Sequence, residues 1–240
     1  MTYSDRTSSF SAPALVFTLA ALLAVPASAA SFGIKPNAAT IDANTPVAEF
    51  SLSSLSARAT VFEVRVSRWV QTPEDDSYVP AAMMIVPAVF ALSPYETRLI
   101  RIEPRGGPVQ GNVEQSFRIT ITEVVQGEPS PPPAARRFDA VLFVPPRTPS
   151  GEPAFAISVT GKHAVLTVTN ASNHHVFLGQ PRIESGGKEI YRGAGLGYVL
   201  AGSTRTFSLT LTGSLESSGA ELRFDDERAS QQAAVLRVSR

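Results

Sequence analysis

Short runs of alternating apolar and polar residues recur along the chain, each broken by glycine, proline, asparagine or serine after about ten residues. The run "VFEVRVSRWV", Val61 to Val70, alternates most regularly and is rich in β-branched and aromatic residues. "RLIRIEP", "QSFRITITEV", "HAVLTVTN", "RTFSLTLTG" and "AAVLRVSR" repeat the pattern. A period of two sends successive side chains to opposite faces of a strand, so each run has one face for a core and one for water. No segment sustains a helical apolar stripe over three turns. The spacing predicts an all-β chain built of antiparallel sandwiches.

The first thirty residues follow another rule. Arg6 precedes a polar stretch, "ALVFTLAALLAV" is continuously apolar, and "PASAA" supplies small residues suited to a signal peptidase. A bilayer span needs about 20 apolar residues. Residues 1–30 therefore read as a secretory signal peptide, cut after Ala29 or Ala30. Roughly 210 residues remain, enough for one large or two small domains. No later run approaches membrane-spanning length, so no membrane insertion of the mature chain is expected. Lys plus Arg (21) equals Asp plus Glu (21), which leaves no global field to attract nucleic acid or an anionic membrane. The chain has no cysteine, which excludes disulfides, thiol chemistry and cysteine-ligated metal.

Two segments interrupt the strand pattern. "GEPSPPPAA", Gly127 to Ala135, cannot be a central strand, because proline lacks the ladder donor. It reads as extended and polyproline-like. "PPRTPSGEP", Pro145 to Pro153, has no bulky apolar residue and reads as a domain linker. The expected organisation is a first domain over residues 31–146, a linker over 147–152 and a second domain over 153–240. Each part has the size of one immunoglobulin-like sandwich.

The order of the segments carries a resemblance. "FGIKPNAATIDA", "EFSLSS" and "VFEVRVSRWVQ" are followed by "DDSYVPAAMMIVPAVFALSPYETRLIRI", "EQSFRITITEV" and "RRFDAVLFVPP". The second half continues with "AVLTVTNASNHHVFL", "YVLAGSTRTFSL" and "LRFDDERA". This series is similar to the periplasmic chaperones of chaperone–usher pilus systems, most of all to their archaic, spore-coat-U-related branch. The resemblance implies two immunoglobulin-like β-sandwich domains set at an angle with a cleft between them. It implies pilus subunits and an outer-membrane usher as partners, the periplasm as location, and no cofactor. It also implies a mechanism: the chaperone lends a β-strand to a subunit that lacks its last one.

Carried onto this chain, the family's lending positions upstream of the apolar run are Pro132, Ala134 and Arg136, none of them bulky and apolar. A lending strand shifted toward the C-terminus would use Phe138, Ala140 and Leu142, which share one face by the period of two. The plainer reading of those residues is core. The family's basic pair for the subunit's terminal carboxylate falls on Ala38 and Val141. Neither is basic, which leaves Arg137 and Lys35 as candidate anchors, with Arg136 nearby; an arginine fork suits a carboxylate. Arg101, Glu114 and Asp226 match family polar positions, Asp226 being the second-domain acid that helps set the interdomain angle. The family's arginine partner to that acid falls on Pro145, leaving Arg147 or Arg118 to substitute. Trp69 and Phe90 read as core or sandwich-edge residues.

Nothing in the sequence points to catalysis. The chain has three histidines, and the adjacent pair His174 and His175 points to opposite sides if extended. No G-x-S-x-G, H-E-x-x-H or phosphate-binding glycine loop occurs. "RGGPVQGN" and "YRGAGLG" read as turns. The alternative to an assembly chaperone is an exported two-sandwich structural or adhesive module that has lost strand donation. The absent bulky lending residues and the non-basic Ala38 favour that alternative.

Overall fold

The computed structural model describes residues 32–73, 75–107, 111–124, 135–216 and 219–239. The expected signal peptide and the lending positions Pro132 and Ala134 lie outside the described residues. In the first half the strands are β1 (Phe32–Lys35), β2 (Ala38–Thr40), β3 (Ala48–Ser54), β4 (Thr60–Gln71), β5 (Asp76–Pro80), β6 (Met83–Val86), β7 (Val89–Leu92), β8 (Thr97–Pro104), β9 (Gln115–Glu123) and β10 (Arg137–Val144). The second half holds β11 (Pro153–Thr160), β12 (His163–Asn170), β13 (Val176–Ser185), β14 (Lys188–Arg192), β15 (Gly195–Val199), β16 (Thr204–Thr210), β17 (Ala220–Asp225) and β18 (Gln231–Ser239). No helix occurs among the described residues.

The alternation in β4 decides the first core. Phe62, Val64 and Val66 are buried in it, and the intervening Glu63 and Arg65 face outward and form an ion pair (3.0 Å). Two sheets close over these residues, one ordered β1-β3-β8-β6 and the other β2-β10-β9-β4-β5, with β7 also on β4. Phe50, Leu52, Ile100 and Ile102 come from the first sheet, and Ile119, Ile121, Ala140 and Leu142 from the second. Burying a side chain of the leucine or isoleucine class contributes about 1.5–3 kcal/mol, so this core compensates for the lack of disulfides.

The chain's first strands are split between the sheets. β1 pairs antiparallel with β3, and three residues later β2 pairs parallel with β10. The change of sheet falls at Pro36, where the missing N–H removes nothing from either ladder. The parallel pairing sets Ala38 opposite Val141, Ala39 opposite Leu142 and Thr40 opposite Phe143.

The second half forms one path of strands, β14-β13-β17-β18-β11-β12-β16, with β15 also on β13. β18 folds that path over a core. Its residues 231–236 pair antiparallel with β17, and Arg237 to Ser239 pair parallel with β11. Phe155, Ile157, Leu166 and Val168 thereby meet Leu178, Ile183, Leu222 and Phe224. The two cores are separate clusters, and a third, smaller one joins Trp69 and Phe143 of the first sandwich to Leu200 of the second.

Candidate functional site

β10 has two faces and two edges with different tasks. Phe138, Ala140, Leu142 and Val144 point into the first core, where Leu142 is fully buried. The face proposed for a shifted lending strand is therefore committed to the sandwich's own interior. Arg137, Asp139, Val141 and Phe143 point outward. Along one edge β10 pairs with β9 over its whole length. Along the other, β2 covers only Val141 to Phe143.

Hydrogen-bond direction identifies what the remaining edge offers. The Val141 N–H donates to Asn37 O (2.9 Å) and Phe143 O accepts from Ile41 N–H (2.8 Å). Main-chain groups alternate between the two neighbours of a strand. The N–H and C=O groups of Arg137 and Asp139 thus project from the same edge, beyond the reach of β2. Among the described residues no strand pairs with them there.

The outward face beside that edge is polar and positively charged. Ala38, Val141, Arg118 and Ser67 form one row across β2, β10, β9 and β4. The two positions implied by the resemblance as a carboxylate-binding pair are therefore direct neighbours, and Arg118 is the next residue in their row. Arg118 Nε lies 3.3 Å from Asp139 Oδ1, and its guanidinium also donates to the Tyr78 hydroxyl and sits over that ring at 5.2 Å. Arg137 pairs with the same carboxylate at 3.1 Å, and Thr120 donates to it at 3.0 Å. Burial pushes the Asp139 carboxyl up, but the hydrogen bonds from Arg137 and Thr120 and the charge of Arg118 hold it below its ordinary value. Two guanidinium groups around one carboxylate leave a net positive charge beside the open edge.

The other expected residues lie apart from this cluster. Lys35 is exposed at the end of β1, opposite Ser51 in the other sheet. Arg136 is exposed, lies over the Phe32 ring at 5.0 Å and faces Glu123 at 3.9 Å. Arg101 pairs across its ladder with Glu49 at 2.9 Å. Phe90 belongs to the first core. Arg147 binds Gly111 O through its backbone N–H at 3.0 Å, within the connection between the sandwiches.

The sandwiches meet at a junction that begins where the outward face of β10 ends. Phe143, Trp69 and Leu200 are buried together there, with Val141 and Tyr198 packed beside them. Gln71 adds a double tie: its Nε2 donates to Tyr198 O (3.0 Å) and its Oε1 accepts from Leu200 N–H (2.8 Å). Arg205 donates to Asp76 at 2.9 Å. Asn173 Nδ2 donates to Asn112 O (2.8 Å) and Thr148 O (2.9 Å).

At the centre is His175. Its Nδ1 lies 2.8 Å from Glu114 Oε1, and its Nε2 lies 3.2 Å from Glu227 Oε2. Its ring stacks on Phe143 at 3.9 Å and 21° and meets the Tyr198 ring edge-on at 5.4 Å. Burial pushes the imidazole's pKa down, but hydrogen bonds and charge from Glu114 and Glu227 lift it from 6.5 to about 9. Burial also raises the Glu227 carboxyl, yet hydrogen bonds with His175 and Tyr198 bring it below its ordinary value. Burial and Glu227 together push the Tyr198 phenol up.

The loop that presents His175 is held from within. Asn170, fully buried, donates through Nδ2 to His174 O (2.8 Å), Val199 O (3.0 Å) and Leu200 O (3.1 Å). Its Oδ1 accepts from Ser172 N–H at 3.1 Å. Gly151 lets the connection run against this loop: it has φ of +81°, and a Cβ there would lie 2.8 Å from Ser172 Cα. Glu114 reaches the junction through His175, accepting from its backbone N–H at 3.1 Å. Asp226 instead caps its own turn, accepting from Arg228 N–H and Ser230 N–H at 2.9 Å each. The acid that reaches His175 is its neighbour Glu227, 3.2 Å from Nε2. No residue pattern marked His175 or Glu227, because their partners lie far away along the chain.

With this geometry in place, the class is defined: a two-sandwich β fold with one strand half-open beside an interdomain junction. Residues 32–142 match the family model of the pili and flagellar-assembly chaperone, PapD N-terminal domain. The first sandwich is thus similar to the N-terminal domain of pilus-assembly chaperones. The whole fold is similar to a chain in the CsuC–CsuE chaperone–tip adhesion subunit pre-assembly complex from archaic chaperone–usher pili of Acinetobacter baumannii. The TM-score is 0.64 at 18% identity, covering 88% of this chain and 100% of that one. It is similar to the YadV chaperone, with TM-score 0.61, 16% identity and coverages of 86% and 100%. A chain in the Salmonella enterica complex of SafA pilin with the SafB chaperone gives TM-score 0.57 at 21% identity, with coverages of 86% and 96%. No curated protein sequence matches.

Proposed function

We propose that the chain is a periplasmic chaperone that takes up pilus subunits on the open edge of β10 and delivers them to an outer-membrane usher. The observation that carries this reading is the half-covered edge, where β2 stops at Val141 and leaves the main-chain groups of Arg137 and Asp139 to a further strand. Edge addition draws its affinity from main-chain hydrogen bonds. The guanidinium groups of Arg118, next in the row of Ala38 and Val141, and of Arg137 on β10 would suit a subunit's terminal carboxylate. The match of residues 32–142 to the pilus-chaperone N-terminal domain model supports the chaperone role. The expected signal peptide supports export.

The second reading, a structural or adhesive module, has an observation of its own: Phe138, Ala140 and Leu142 all face inward. Co-expression with a pilus subunit in the periplasm separates the two. A stable 1:1 complex and protection of the subunit from degradation are expected. Degraded subunit with no complex, while this chain stays folded, would sink the chaperone reading and favour the module.

A further inference from the structure

The junction carries a titratable group at its centre. An imidazole donates from both ring nitrogens only when protonated, and His175 has a carboxylate within hydrogen-bond distance of each. Glu114 belongs to the first sandwich, and its side chain is 3% exposed. Glu227 belongs to the turn between β17 and β18. The ring face rests on Phe143, a residue of β10 itself, and a cation over an aromatic face is further stabilised. The other groups around the ring are the Tyr198 hydroxyl, bonded to Glu227, and Asp226, whose charge acts on Glu227. His174 turns away toward Asn173 Oδ1 at 3.3 Å.

We propose that protonated His175 is a positioning residue that holds the second sandwich against β10, so that loss of its proton loosens the junction and the face beside it. A neutral ring can donate to only one of the two carboxylates. The other then faces a lone pair inside a buried site, which costs far more than the same contact in water. The remaining ties described across the junction do not share this weakness. Gln71 and Asn173 are uncharged amides, and the Arg205–Asp76 contact contains no imidazole. The contact of His175 with Phe143 carries the change to the strand whose edge is open. The link to subunit capture rests on the proposed function; the positioning itself does not.

The raised pKa fixes the direction. The contribution is complete below the ordinary value of 6.5 and is lost as pH rises through about 9. Between those limits one proton is released on opening, so the equilibrium constant for loss of the junction rises about tenfold per pH unit. Trp69 is the only tryptophan and lies in the junction, so it reports locally. The experiment follows urea unfolding and acrylamide quenching of Trp69 from pH 6 to 10 in the wild type, His175→Gln and His175→Arg. The ratio of the wild-type unfolding constant to that of the Gln variant is expected to rise about tenfold per unit between pH 6.5 and 9 and then level off. Quenching of the native wild type should increase over the same range, while the Arg variant, which keeps the charge, should stay protected. A flat ratio, or quenching that is equal at pH 6.5 and 9.5 in the wild type, overturns the proposal. Should His175→Gln fail to fold, the ratio to His175→Arg makes the same comparison. Neither readout uses a subunit, so failure here leaves the chaperone reading standing, and failure to bind a subunit leaves this one standing.

Discussion

Val141 and Phe143 are two residues apart on the outward face of β10 and meet different surroundings. Phe143 is buried against the second sandwich, whereas Val141 lies half-buried between Ala38 and Arg118. Single residues on one strand thus divide between holding the two sandwiches together and lining the face proposed to meet a partner. Two substitutions test that division. Leu142→Ala removes core volume and should cost about 2–5 kcal/mol of unfolding free energy. Arg118→Gln removes charge from a partly exposed cluster and should change stability by about 1 kcal/mol or less. Under the proposed function it should nevertheless weaken subunit binding about tenfold, through loss of a charge-assisted hydrogen bond. Denaturation curves and titration with a purified subunit read the two effects separately. Equal subunit affinity for Arg118→Gln would remove the carboxylate role.

At the scale of elements, short strands change partners where the chain needs them to. β2 leaves the sheet of β1 and covers three residues of β10, and β18 begins on β17 and ends on β11. The half-open edge is a direct product of β2 being only three residues long. The connection between the sandwiches is similarly particular. Gly151 combines positive φ with a close approach to Ser172, which belongs to the loop that presents His175. Gly151→Ala should therefore destabilise by about 1 kcal/mol or more, because alanine is strained at that φ and its methyl group would displace the loop backbone. The thermal midpoint should fall, and the His175 ring signal in an NMR titration should move toward the value of a free histidine. An unchanged midpoint and an unchanged titration would show that the loop does not depend on this contact.

For the whole molecule, the junction imposes opposite pH limits. His175 has a raised pKa, so its stabilisation is present below 6.5 and lost as pH rises through about 9. Glu227 has a lowered one, so its stabilisation is present above 4.5 and lost as pH falls through its folded value. Asp139 acts in the same direction on the acid side. Stability measured by urea unfolding should consequently be greatest between about pH 4.5 and 6.5 and decline on both sides. A profile rising steadily from pH 6.5 to 9 would contradict the assignment of the imidazolium.

What the sequence by itself determined was local. Alternation in "VFEVRVSRWV" follows from strand geometry, so the all-β class and the inward face of β4 were legible before any contact was known. The ordered segments carried the family resemblance for the same reason: they record which residues must face a core. What only the tertiary structure decided was pairing across long separations. Trp69 read as core or edge and proved to lie in the junction, because Leu200 and Tyr198 reach it from the second sandwich. His175 had no local signal, since Glu114 and Glu227 lie 61 and 52 positions away in the chain. Asp226 and Glu227 are adjacent and chemically alike, and only the turn's hydrogen bonds determine which one caps and which one meets His175. A strand's period is written in neighbouring residues; the partner of a buried charge depends on how two separately formed cores come together.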